Sequence, residues 1–102
     1  MSSTQDALAF RTMLAALDTT GTDTDLIDEI TALDQLTTAI SARQARLTDA
    51  FATRHRARLI ENGMSTTDAR RSVCAQIALA RRDSPHKGNR HVGLAHTLVH
   101  EM

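Results

Sequence analysis

Between residues 26 and 51 the apolar side chains fall at Leu26, Ile30, Leu33, Ile40, Leu47 and Phe51. The steps alternate between four and three once Thr37 and Gln44 are counted as members of the series. This is a heptad seam, one stripe along a helix, and it implies a helix from about 23 to 61. Helices of that length in small proteins pack as antiparallel hairpins or as dimeric coiled coils. Asp23, Asp25, Asp28 and Glu29 crowd its start and Arg54, Arg56 and Arg58 its end, the arrangement that complements a helix macrodipole. The seam is expected to serve as core or oligomer contact, with Thr37 and Gln44 fixing register at some cost in stability. On the core reading, Ile40→Asp buries a charge and costs several kcal/mol.

The rest of the chain is equally helical in character. Its 102 residues suit one modest domain, 1–102, and exclude a two-domain enzyme. Phe10 and Phe51 are the only aromatic rings, so the stacking platforms of RNA-binding sheets and single-strand binders cannot be built. Val73, Val92 and Val99 are the only valines, and apolar character comes mainly from Ala and Leu, which are good helix formers. The expected class is all-α. A single cysteine, Cys74, allows no intrachain disulfide and no multi-cysteine zinc site; it reads as a small buried apolar residue in a reducing compartment. No apolar run reaches membrane-spanning length, and MSSTQDALAF lacks a basic segment followed by an apolar core, so a cytoplasmic location with no membrane partner is expected.

Local signals divide the chain further. Phe10, Met13, Leu14 and Leu17 mark a first helix around 3–17, with Ser2, Ser3 or Thr4 as cap, and TTGTDTD at 19–25 is a loop ending in a cap. Gly63 terminates the long helix, and Ser65, Thr66, Thr67 and Asp68 cap a third one through about Arg82, with Val73, Ile77 and Ala80 as its buried face. Ser84-Pro85 restarts a fourth helix carrying Val92, Ala95, Leu98, Val99 and Met102. Gly88 and Gly93 weaken that helix by about 1 kcal/mol each unless tight packing uses them. The expected architecture is an antiparallel helical bundle with one long helix and a C-terminal helix pair.

Charge separates the two halves. Residues 1–50 carry eight acids and three Arg, residues 51–102 nine Lys or Arg and four acids, and all five histidines lie in the second half. The densest cluster, Arg81, Arg82, His86, Lys87, Arg90 and His91, flanks a helix restart, where backbone N–H groups can meet a phosphate. A solvated basic turn offsetting the end of the third helix is the other reading. A DNA-binding helix-turn-helix fits poorly, because Arg81, Arg82 and Asp83 stand where that motif wants apolar residues and Gly. Asn89, His91, His96 and His100 supply the letters of an HNH nuclease centre but not its strands. His96 and His100 share a helical face and could share a metal, but the residue after His96 is Thr97 and no third ligand is evident, so no metal and no cofactor are expected. No phosphate loop or nucleophilic triad occurs, and intrinsic catalysis has no residues to carry it.

The most distinctive text is IALARRDSPHKG at 77–88 followed by RHVGLAHTLV at 90–99. It resembles the core of the actinobacterial domain-of-unknown-function family 222, the 13E12 repeat family, and LIDEITALDQLTTAISARQARL at 26–47 is similar to that family's long helix. The resemblance covers about residues 8–102. Many family members end in an HNH endonuclease domain, which residues 1–102 do not contain. The resemblance therefore implies a non-catalytic accessory helical region of an HNH endonuclease-like protein; together with the basic cluster it points to DNA phosphates held weakly and without sequence preference, and the long helix to pairing with a second copy or with the nuclease region. The alternative is a structural or oligomerisation module with no nucleic-acid role.

Overall fold

The computed structural model describes residues 2–83 and 85–100, of which Pro85 and His86 are described in the main chain alone. Four α-helices make up the fold: α1 (Ser3–Ala16), α2 (Asp23–Glu61), α3 (Thr66–Arg81) and α4 (Pro85–His100), with no strand among the described residues. The class is all-α, with the long helix and C-terminal helix pair that the sequence implies. Ser84 and Met102, read as a cap and as part of the fourth helix's apolar face, lie outside the described residues.

Each helix end has a local chemical cause. At α1, the Ser2 hydroxyl accepts from the Gln5 N–H at 3.1 Å while the Ser2 N–H donates to the Gln5 side chain, a reciprocal capping box. The same device opens α2, where the Thr22 N–H donates to Asp25 Oδ2 at 3.0 Å and the Asp25 N–H to Thr22 Oγ1 at 3.1 Å. Ser65 caps α3 through the Asp68 N–H. At the end of α2, the Met64 N–H reaches the Leu59 carbonyl and the Gly63 N–H the Ile60 carbonyl, with Gly63 at φ 99°. That Schellman closure needs a left-handed residue, the conformation Gly adopts without steric cost. The same closure recurs after α3, from Asp83 to Ala78 and from Arg82 to Leu79, but here the left-handed residue is Arg82 at φ 56°.

Packing divides the chain into two compact units, Met1–Gln35 and Leu36–Met102, where composition suggests one domain. The first contains α1 and the start of α2. Among its described residues none is buried, and Leu8, Phe10, Met13 and Leu17 are all exposed. An Asp18 carboxylate accepting from the Thr20 hydroxyl and N–H shapes the loop between its helices.

The second unit holds the core. Ala52, Val73 and Ile77 are buried together, with Leu59 and Val92 packed against them. Ala45, Ala69, Cys74, Ala78 and Ala95 are buried as well. The core is therefore built mainly from small side chains. The heptad seam is not its α2 face: Ile40 is 48% exposed, Leu47 and Phe51 are exposed, and in the first unit Ile30 and Leu33 are exposed and Leu26 half-buried. The buried positions of α2 are instead Ala45, Asp49 and Ala52. Because Ile40 is half open to solvent, Ile40→Asp buries no charge in the single chain, which corrects the large cost expected on the core reading. Ala80, Leu98 and Val99 are likewise exposed, while Ala78 and Cys74 take the places on α3.

For α3 and α4 the reason is a close helix crossing. α3 and α4 pack directly on each other, and a Cβ built on Gly88 would lie 2.5 Å from the Ala78 Cβ and 3.0 Å from the Cys74 carbonyl oxygen. Backbones this close exclude bulky side chains from the seam between them. Gly88→Ala gains about 1 kcal/mol of helix propensity but forces an overpacked contact costing roughly 1–3 kcal/mol. A lowered urea midpoint for this variant is expected; a raised one would place the helices further apart than described.

Candidate functional site

Two constellations lie on the second unit. The first is the basic turn between α3 and α4. The Schellman closure on Arg82 turns the chain sharply after α3, and α4 follows from Pro85. Arg81 is held in place from two sides: its Nε donates to Asp83 Oδ2 at 2.8 Å and its Nη1 to Gln44 Oε1 on α2 at 3.4 Å. Arg81, Asp83, Lys87, Arg90, His91 and Thr97 are among the residues lining an open groove of about 710 Å³. Four of the six residues singled out in the sequence, Arg81, Lys87, Arg90 and His91, thus meet around one space. Arg82 is exposed at the helix cap and does not line the groove. The side chain of His86 lies outside the described residues.

His91 has a different part from that of a cation. Its Nε2 shares a hydrogen bond of 2.7 Å with the Thr48 hydroxyl of α2. Burial, together with the neighbouring charge of Arg81, pushes its pKa below the ordinary imidazole value, against a smaller opposing pull from Asp83. The imidazole is accordingly neutral at pH 7, and the positive charge of the groove comes from Arg81, Lys87 and Arg90, partly offset by Asp83.

The second constellation joins α2 to α4. His96 Nδ1–H donates to Asp49 Oδ1 at 3.1 Å, and His100 Nε2–H donates to Asp49 Oδ2 at 2.7 Å. The two imidazoles, four residues apart on one face of α4, lie tilted at 39° to each other with ring centroids 4.5 Å apart. Asp49 is buried while both rings are exposed. Burial raises the Asp49 pKa, but the hydrogen bonds from His100 and His96, with their charge, outweigh it and hold the carboxyl below its ordinary value. The sequence marks the histidine pair but not its carboxylate, which lies 47 residues upstream of His96. The signal available is phase: Asp49 sits on the helix face of Ala45 and Ala52, where a charge among small apolar residues needs a partner. An HNH arrangement does not form from Asn89, His91, His96 and His100, since all four lie on the single helix α4.

No protein-family model matches the chain, and no curated protein or solved structure shows significant similarity to it. No helix among the described residues is long and apolar enough to cross a membrane.

His91 makes the second unit sensitive to acid. Its folded pKa lies below its unfolded one, so its contribution to stability is complete above about pH 6.5 and is lost as the pH falls from there toward the folded value. The urea midpoint is expected to drop between about pH 7 and about pH 5, and the drop should shrink in His91→Gln. An equal drop in that variant would assign the acid sensitivity to other groups.

Proposed function

We propose that the chain is a non-catalytic helical module that holds phosphate groups of a nucleic-acid backbone in the groove at the α3–α4 turn. One observation carries this reading: Arg81, Lys87 and Arg90 line the same open groove, with Arg81 oriented by Asp83 and Gln44. Cations gathered at a concave surface attract phosphates without reading bases, because phosphate contacts carry no sequence information. With Phe10 and Phe51 as the only Phe, Tyr or Trp residues, the chain cannot build a platform for stacking on successive exposed bases, which favours a duplex over a single strand. The resemblance of residues 77–99 to the 13E12 repeat family adds support, and on that analogy the module accompanies an HNH endonuclease. Each neutralised phosphate contributes about 0.9 to the log–log salt slope, so three cations give a slope near −3, shared by unrelated duplexes. Titrating labelled duplexes at several salt concentrations measures it. The Arg81→Ala, Lys87→Ala, Arg90→Ala triple variant should lose binding while retaining its helical circular dichroism. Absence of binding at low salt, or binding that survives the triple substitution, removes this reading.

A second reading is favoured by the apolar stripe left open on α2 within the second unit. Ile40, Leu47 and Phe51 are exposed at heptad spacing, and a heptad stripe is complementary to a second copy of itself. In this reading the chain dimerises through α2. Wild-type protein then sediments as a concentration-dependent dimer, whereas Ile40→Asp sediments as a monomer and changes monomer stability by no more than about 0.5 kcal/mol. A wild-type chain that stays monomeric at high concentration excludes this reading.

A further inference from the structure

We propose that Asp49, His96 and His100 bind a zinc ion, with water completing the coordination. The observation is geometric. One ligand atom from each of the three residues lies within 4.8 Å of the others, and the two carboxylate oxygens each face one imidazole nitrogen, at 3.1 and 2.7 Å. Zinc ligands at about 2.0–2.2 Å from a tetrahedral ion stand a little over 3 Å apart, so an ion enters between these groups after a small outward shift of the rings. The scaffold suits such a site. His96 and His100 lie at i and i+4 on α4, which points both rings the same way, and Asp49 faces them from α2.

The electrostatics favour an ion over the bare cluster. Asp49 is the buried charged residue of the described core, and its ion-pair partners among the described residues are the two imidazoles alone. Among the described residues no Lys or Arg pairs with the carboxylate, whose hydrogen bonds come from the two rings. A divalent cation at the centre of the cluster supplies the opposite charge, and binding leaves each ring with a proton only on the nitrogen that faces away from Asp49. Two nitrogens and one oxygen select a borderline-soft ion; calcium and magnesium require oxygen ligands. Three protein ligands leave a fourth position. Asp49 and His96 also line a cleft of about 250 Å³ beside Thr53, Arg56 and Arg70, which gives that water access to solvent.

The test uses the untagged 102-residue chain and zinc chloride, followed by isothermal titration and thermal unfolding, with magnesium chloride as the control and cobalt(II) as a spectroscopic stand-in. One zinc per chain, a raised midpoint with zinc but not magnesium, and an intense tetrahedral cobalt spectrum are expected. Loss of an outer hydrogen-bond partner of a metal ligand already weakens affinity roughly 10–100-fold, so His96→Gln and His100→Gln should each weaken binding by at least that much. Both histidine side chains are more than half exposed, and Gln keeps a donor for Asp49; these variants and Asp49→Asn are checked by circular dichroism, and His91→Gln should bind as wild type. No saturable zinc binding, equal stabilisation by magnesium, or unchanged affinity in both histidine variants overturns the proposal.

Discussion

The second unit depends on how closely α4 can approach α3. Gly88 removes the one Cβ that would collide with Ala78 and with the Cys74 carbonyl, and the contact fixes which side of α4 faces inward. Val92 and Ala95 follow Gly88 by four and seven residues, so they share its stripe. Val92 reaches the cluster of Ala52, Val73 and Ile77, and Ala95 is buried. Everything else on α4 is placed by that stripe. Lys87 and His91 fall on one flank, toward the basic groove, and His96 and His100 on the other, toward Asp49. The groove and the carboxylate–imidazole cluster are thus consequences of one packing decision.

A core of alanines has an energetic cost as well as a geometric use. Each buried methyl removes little apolar surface from water, so burial of many small groups stabilises less than burial of a few large ones. Specificity must then come from elsewhere, and the polar ties between helices supply it. Thr48 to His91, Asp49 to His96 and His100, Gln44 to Arg81, and His55 to Gln76 at 2.8 Å all join α2 to one of the other two helices. A slip of one helix along another breaks several at once. Asp49 matters most, since a buried carboxylate without its imidazoles is left uncompensated.

Helix ends were legible from sequence because their causes are local. Ser2 with Gln5, Ser65 with Asp68 and Gly63 each act within a few residues, and the bounds of α2 follow from the length of the apolar series and its flanking charges. The buried face of α2 was not legible. Ranking positions by bulk picks Ile40, Leu47 and Phe51, whereas the buried positions are Ala45 and Ala52, and nothing local to α2 announces which of its faces the other helices will cover. The third member of the histidine cluster was hidden for a related reason. Its partner lies on a different helix, and sequence spacing carries no information about which faces meet. Arg82 takes the left-handed conformation that Gly63 takes after α2, at a backbone cost on the order of 1 kcal/mol that no local sequence signal announces.

The long helix also divides its own stability. α2 has 39 residues, yet every buried side chain on it lies between Ala45 and Ala52. Its first three turns, in the unit without buried residues, are held as a peptide helix is held, by caps, charge and propensity. There the Thr22–Asp25 box and the acidic first turn do what core contacts do further along. One helix thus obeys two kinds of thermodynamics: fraying from its N-terminal end, where a turn opens without disturbing any core, and unfolding coupled to the core from Ala45 to Ala52.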